Sequence, residues 1–519
     1  MKKLPIGIQT FSKIVEEDCY YVDKTPFVKK LESGGYYFLS RPRRFGKSLF
    51  LDTLKEAFSG SKELFKGLYL YDNWDRDKKY PVIKISFGMG IHRTPQELNL
   101  KIIEALAQIE RNYDIKLTNQ TPSGKFYEAI EKLSEKYNQK VVVLIDEYDK
   151  PILDRIEEPD IAKENREVLK DFYSVLKDAD PYLHLVFITG VSRFSKVSIF
   201  SGLNQLNDIT LDKAFATICG YTQTDLETVF EDRLKDFDKE EVKRWYNGYN
   251  WLGESVYNPF DILLLFDKKE FRPYWFETGT PTFLIKLFQK NQYYLPELEN
   301  LEVGEEILSN LDIDYIYPEN LLFQAGYLTI KNTVQLEEET VYVLSYPNQE
   351  VRKSFNRNFL THITIPPQAS KTQLSLIRAF LEGDTEKVKQ NLYSFFAGIP
   401  SEWFRKNNIQ EYEGFYASVV YALFNGSGLT TITEDATNKG KIDLTVITQE
   451  KVYIIEFKVM EESPGGAALQ QIKERKYYEK YIEKYKEIYL IGIEFSKEKR
   501  NIVNCEVEKG CKELAVNSD

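Results

Sequence analysis

The hydrophobic and polar positions divide this chain into stretches of different period. Between residues 36 and 215, short apolar runs alternate with longer amphipathic ones. Tyr36–Ser40, Pro81–Ser86, Val141–Ile145 and Leu183–Thr189 are mainly apolar, the pattern of strands buried on both faces. The stretches between them repeat apolar residues at helical spacing and predict helices near 48–58, 95–111, 123–137 and 163–178. Strands joined by helical crossovers predict a parallel sheet covered on both faces. Residues 216 to 300 are mostly of helical period, and Leu322–Ile330 with Val341–Leu344 predict a helix running into a hairpin. Residues 351–398 read as a helical connector. From 411 the predicted order is helix (411–424), three short strands (429–434, 442–448, 451–457), helix (466–483) and strand (487–495). The expected domains are 1–215, 216–350, 351–398 and 399–519, in an α/β chain.

Composition narrows the class. At 519 residues the chain is too long for one core, and its 42% hydrophobic and 29% charged residues are those of a soluble globular protein. No run approaches the ~18 apolar residues of a membrane span, and Met1–Gly7 lacks the apolar stretch of a signal peptide. The four cysteines (Cys19, Cys219, Cys505, Cys511) and three histidines (His92, His184, His362) are scattered without metal-ligand spacing, which argues against zinc and for a reducing, cytoplasmic setting. A net charge of −11 argues against a generally adhesive nucleic-acid binder, although a local basic track is compatible with it.

Two short segments carry chemistry. The first is Ser40-Arg41-Pro42-Arg43-Arg44-Phe45-Gly46-Lys47-Ser48, placed between a strand and a helix. A complete phosphate loop reads G-x-x-x-x-G-K-[ST]: backbone amides cradle phosphates, the lysine reaches the β/γ-phosphates and the hydroxyl ligates Mg²⁺. Gly46, Lys47 and Ser48 are in place, but Arg41 stands where the first glycine belongs. A bare Gly-Lys-Ser is common by chance, so context decides. Val141–Ile145 ends in Asp146-Glu147, the pattern in which Asp146 holds Mg²⁺ through water and Glu147 orients or deprotonates the attacking water. Leu183–Thr189 then leads into Gly190-Val191-Ser192-Arg193, a strand tip expected to sense the γ-phosphate, with Arg193 a charge stabiliser.

The second segment is Glu456-Phe457-Lys458, at the end of an apolar strand beside the strand that carries Asp443. Period-2 geometry puts Glu456 and Lys458 on one face, where Asp443 can meet them. Two carboxylates suit Mg²⁺ or Mn²⁺, a bound metal activates water against a phosphodiester, and Lys458 positions the nucleophile or steadies the transition state. Glu413 on the preceding helix and Gln471 on the following one are further candidates, as a ligand contact and as an orienting group.

At these residues the chain resembles known families. Tyr20-Tyr21-Val22-Asp23-Lys24-Thr25, then Leu39–Leu49 and Ile145-Asp146-Glu147-Tyr148-Asp149, resemble the bacterial AAA-ATPase-like family over roughly residues 4 to 220. That resemblance makes the arginine-rich loop a family feature. It implies a P-loop sheet with ATP and Mg²⁺ at Lys47, Ser48, Asp146 and Glu147; Arg43, Arg44, Gly46, Ser192 and Arg193 are the further expected nucleotide-binding residues, and the helix running into a hairpin reads as a winged-helix-like lid. Glu413, Gly440, Asp443, Glu456–Lys458, Ala468–Ile472 and Tyr478 resemble the PD-(D/E)xK nuclease superfamily over roughly 405 to 495, a restriction-endonuclease-like α/β domain. Ile442 stands where the superfamily's usual proline precedes the aspartate.

The expectation is a cytoplasmic bacterial hydrolase in which an ATP-binding module controls a metal-dependent nuclease acting on DNA or RNA, in defence or mobile-element handling. ATP and nucleic acid are its expected partners, no membrane is involved, and a homo-oligomer is left open. The alternatives are a nucleotide-gated nucleic-acid-binding module with an inactive nuclease fold, and a remodeller of a protein partner.

Overall fold

The four apolar runs become strands because each fills a slot between layers of helix. The computed structural model describes residues 1–75, 77–194, 199–200, 202–276, 294–309, 311–313, 316–364, 366–399, 413–460, 465–496, 498–499 and 501–510, with backbone alone at 309, 366–370, 413 and 427. The chain divides into two units, Met1–Thr278 with Glu302–Asn348, and Gly279–Leu301 with Gln349–Asp519.

In the first unit β1 (Gly35–Ser40), β2 (Val82–Ser86), β3 (Val141–Asp146), β4 (Leu183–Gly190) and the short β5 (Asn207–Asp208) form a parallel sheet in the order β2-β3-β4-β1-β5. Alternate residues face opposite ways. Val143, Ile145, Val186 and Ile188 pack with Ile102, Phe126, Ile130 and Phe172 of α4 (Pro95–Tyr113), α5 (Pro122–Tyr137) and α7 (Pro159–Asp178), while Phe187 meets Phe50 of α3 (Lys47–Phe58) from the other side. The crossover helices start where threonines cap them: Thr94 accepts the Glu97 N–H and Thr121 that of Gly124. The helices α1 (Phe11–Glu16), α2 (Thr25–Lys30) and α6 (Lys150–Leu153) complete this part.

The middle region is helical as expected, with α8 (Gln223–Val229), α9 (Glu231–Leu234), α10 (Lys239–Tyr246) and α11 (Pro259–Lys268). After β6 (Leu301–Val303) and α12 (Glu305–Ser309), α13 (Pro318–Ala325) runs into the antiparallel hairpin β7 (Thr329–Leu336) and β8 (Glu339–Ser345), the arrangement the pattern called for.

The second unit contains α14 (Gln349–Ile363), α15 (Pro366–Glu382), α16 (Thr385–Ala397) and α17 (Glu413–Ser427), then β9 (Thr430–Thr437), β10 (Gly440–Ile447) and β11 (Lys451–Met460), α18 (Ala467–Arg475), β12 (Glu487–Ser496) and β13 (Asn501–Gly510). Its mixed sheet has the order β13-β12-β11-β10-β9, with β11 and β12 parallel and the other neighbours antiparallel. Helices expected as a connector cover one face: Phe380 of α15 sits on Tyr453 and Phe396 of α16 on Phe495. On the opposite face Leu469, Ile472, Tyr477, Tyr478 and Tyr481 cover Val452, Ile454 and Leu490.

One predicted boundary changes and one strand is added. The helix expected over 466–483 ends at Arg475: Lys476 turns left-handed (φ 50°), and Tyr477–Tyr481 continues as a 3₁₀ turn that buries three tyrosines which a straight helix would turn away from the face carrying Leu469 and Ile472. β13, which the pattern does not predict, carries polar residues at half of its positions and pairs with β12 alone in the sheet order, so it lacks the apolar run of a buried strand.

Candidate functional site

The phosphate loop lies between β1 and α3. Arg44 (φ 71°) and Gly46 (φ 94°) are both left-handed, a turn that gathers backbone N–H groups into an anion-binding hollow at the start of α3. A Cβ on Gly46 would meet no atom within 4 Å, so its dihedral and not its space calls for glycine. Lys47 is buried, and its Nζ donates to the carbonyls of Arg41 and Pro42 at 2.9 Å each. Burial lowers the pKa of its ammonium, while the Asp146 charge opposes that shift.

The loop opens on a cavity of about 500 Å³ lined by Arg43, Arg44, Gly46, Lys47 and Ser48. Glu147, Asp149 and Lys150 line a second side, and Ile8, Tyr221, Phe260 and Leu263 supply an apolar one. The Arg44 guanidinium lies 4.6 Å from the Phe260 ring centre. Asp146 is buried at the end of β3, its Oδ1 accepting the Glu147 N–H at 3.0 Å. Glu147 is left-handed (φ 51°), an unusual backbone for a glutamate and of the kind that gathers at functional sites. Gly88 makes room for it, since a Cβ there would stand 2.8 Å from Glu147 Oε2.

Arg41 does not line this cavity. It is fully buried; Nη1 donates to the carbonyls of Ser40 (2.8 Å) and Thr210 (2.9 Å), Nη2 reaches that of Phe215 (3.3 Å), and the guanidinium lies 4.2 Å from the Trp251 ring centre. Burial pulls its pKa down to about 10. Arg41 is therefore a peg that fixes the loop from behind. The other strand tip is also held. Asp149 Oδ2 accepts the N–H of Val191 (3.0 Å) and Ser192 (2.5 Å), and burial raises its pKa to about 6. Val191 lines the cavity, whereas Ser192 and Arg193 do not, and Arg193 Nε donates to Asp208. The sequence reading assigned no role to Asp149. Its only signal was the run Asp146-Glu147-Tyr148-Asp149, in which a third acidic residue follows the pair.

In the second unit Asp443, Glu456, Lys458 and Gln471 come together. Strands β10 and β11 pair from Ile447↔Val452 to Leu444↔Ile455, which brings Asp443 opposite Glu456, and Asp443 Oδ2 accepts the Phe457 N–H at 2.9 Å. Glu456 is fully buried, and Gln471 Nε2 donates to its Oε1 at 3.1 Å. Its other oxygen, Oε2, has no hydrogen-bond partner among the described residues. Burial, followed by the facing Asp443, pushes the Glu456 pKa far up, and the nearby Lys458 partly offsets this. Two carboxylates facing each other with an unmatched oxygen fit a divalent cation, which prefers oxygen ligands and cancels the mutual repulsion. The Lys458 charge acts on Glu456 from the same face of β11. Gly492, beside Glu456 on β12, lets α18 approach: a Cβ there would stand 2.4 Å from the Leu469 nitrogen. Glu413 is the first residue of α17, and its side chain lies outside the described residues.

The sequence matches the family model described as predicted AAA-ATPase over residues 5–200 and that of the PD-(D/E)XK nuclease superfamily over 411–505. A relative from Azotobacter chroococcum mcd 1, called an uncharacterized protein in the vnfD 5' region, is 49% identical over 510 residues, covering 98% of this chain and 99% of that one. Among the described residues no helix is long and apolar enough to cross a membrane.

Proposed function

We propose, on the premise that this chain belongs to the predicted AAA-ATPase family and carries a C-terminal PD-(D/E)XK nuclease superfamily domain, that it binds and hydrolyses ATP and thereby controls a metal-dependent nuclease. The observation that carries the nuclease reading is the buried Glu456 carboxylate, which faces Asp443 with one oxygen unmatched. A carboxylate left in that state is costly, and a protein keeps such a group where a ligand completes it.

Asp443 and Glu456 would hold Mg²⁺ or Mn²⁺, which when bound lowers the pKa of its water and neutralises charge at the scissile phosphate. Gln471 fixes the rotamer of Glu456, and Lys458 positions the phosphate or the nucleophile. In the first unit Arg43, Arg44, Gly46 and Lys47 would bind the phosphates, Ser48 and Asp146 would hold Mg²⁺, and Glu147 would orient water. The apolar side of the cavity suits a nucleobase. Ser192 and Arg193 we assign to positioning the β4 tip. The setting we propose is defence against foreign nucleic acid or mobile-element handling.

The test is cleavage of single- and double-stranded DNA and RNA by the purified full chain, with Mn²⁺ or with chelator. Asp443→Ala and Glu456→Ala should abolish cleavage. Lys458→Ala should keep metal binding but lose ~10²-fold or more in rate, the scale for one positioned charge or proton-handling group. Absence of metal-dependent cleavage on all four substrates would leave the alternative, a nucleotide-gated binding module. Full cleavage by Lys458→Ala would place the active site elsewhere.

A further inference from the structure

The helix–hairpin α13–β7–β8 is tied at one corner to both segments that face the phosphate end of the cavity. Gln324, buried near the end of α13, accepts the Arg193 backbone N–H through Oε1 at 2.8 Å. The next turn of chain touches the phosphate loop. Gly326 caps α13 in the left-handed region (φ 92°), with Tyr327 N–H returning to the Leu322 carbonyl at 2.8 Å. A Cβ on Gly326 would stand 2.8 Å from Pro42 Cβ and 3.4 Å from the Trp275 ring. Trp275 Nε1 in turn donates to the Arg43 carbonyl at 3.2 Å. The Arg193 carbonyl accepts the Leu311 N–H at 2.9 Å, so the β4 tip is held from the same side twice.

Beyond this corner the hairpin projects. Thr329 and Ile330 are buried, but from Lys331 to Leu336 every residue of β7 is exposed, including Val334 and Leu336. The partner strand β8 is buried from Tyr342 to Ser345 and also pairs with β6, so the exposed part of the hairpin is β7 and the turn that follows it. A displacement of the loop or the β4 tip would reach β7 through this corner.

We infer that Gln324 and Gly326 make the α13–β7 corner a reader of the phosphate end of the cavity, so that a γ-phosphate changes the state of the β7–β8 hairpin. Gln324 is a positioning residue in this scheme: it acts through the Arg193 backbone and touches no nucleotide. The inference rests on the ATP reading given above. It adds to that reading a direction of signal and the residues that carry it.

Hydrogen exchange of residues 329–345 in the full chain, with Mg²⁺ and either ADP or a non-hydrolysable ATP analogue, reads the effect directly. Wild type should exchange differently with the two nucleotides. Gln324→Met keeps the side-chain volume but removes the acceptor, and should lose that difference. Its preference for the ATP analogue over ADP should shift at least about fivefold, the lower end of ordinary couplings. Gln324→Glu, which restores an acceptor oxygen, should recover the difference, an outcome that packing alone would not produce. Identical hairpin exchange in wild type with both nucleotides bound overturns the inference even if Gln324→Met does not fold. So does an unchanged difference in a folded Gln324→Met. If wild type binds neither nucleotide, titration calorimetry reports this separately, and the ATP reading falls together with the inference.

Discussion

Lys47 and Arg41 show how one loop divides its cations between ligand and scaffold. Lys47 already donates to two carbonyls of its own loop, so an incoming phosphate exchanges ammonium–carbonyl bonds for ammonium–phosphate pairs, in which both partners are charged, and hydrogen bonds to charged groups are worth roughly 1.5–3 kcal/mol each. Lys47→Ala should weaken ATP binding at least about tenfold by titration, and unchanged affinity in a folded variant would remove the phosphate-loop assignment. Arg41 predicts the reverse of what the motif suggests. Restoring the consensus glycine with Arg41→Gly strips hydrogen bonds from the carbonyls of Ser40, Thr210 and Phe215, so thermal unfolding should show a loss of about 3 kcal/mol or more. A variant as stable as wild type would contradict the peg. The sequence shows an arginine in place of the consensus glycine but not what it holds, because Thr210, Phe215 and Trp251 lie far along the chain. Asp443, Glu456 and Lys458, by contrast, were legible as one cluster, since strand period and a tight turn sufficed to place them together.

At the level of elements, α18 delivers Gln471 to Glu456, and Gly492 allows its approach. Gly492→Ala should push α18 off the sheet, cost about 1–3 kcal/mol as overpacking does, and reduce cleavage by releasing Gln471. If the structure of that variant keeps Gln471 on Glu456 while cleavage falls, the helix is not the cause. The strands of both sheets were legible where burial on two faces enforces unbroken apolar runs, as in Val141–Asp146. What escaped depends on tertiary context. β5 is two residues long and exists because β1 offers it an edge. The break at Lys476 brings Tyr477, Tyr478 and Tyr481 to the same core as Leu469 and Ile472; their own spacing is helical, so the pattern reads as one continuous helix and hides the change of face.

For the molecule as a whole, control of one module by the other is a statement about linked equilibria. If ATP favours one of two states of the chain, Lys47→Ala must alter cleavage although Lys47 and Asp443 belong to different units. Ordinary couplings of about 1–3 kcal/mol correspond to roughly 5- to 150-fold in rate between ATP-saturated wild type and the variant. Equal rates with and without ATP would mean two modules that merely share a chain. The strand order carries a further consequence, for the chain while it is being made. β1, which ends at the phosphate loop, lies between β4 and β5, and the Thr189 hydroxyl that bonds the Leu39 carbonyl comes 150 residues later. At about 5–20 residues per second a ribosome takes roughly 8–30 s to supply that partner. For that interval a newborn β1 offers the cell two edges of unpaired backbone groups and the apolar side chains between them. A chaperone that shelters the emerging segment from Gly35 to Ser40 should therefore raise the folded yield of this protein.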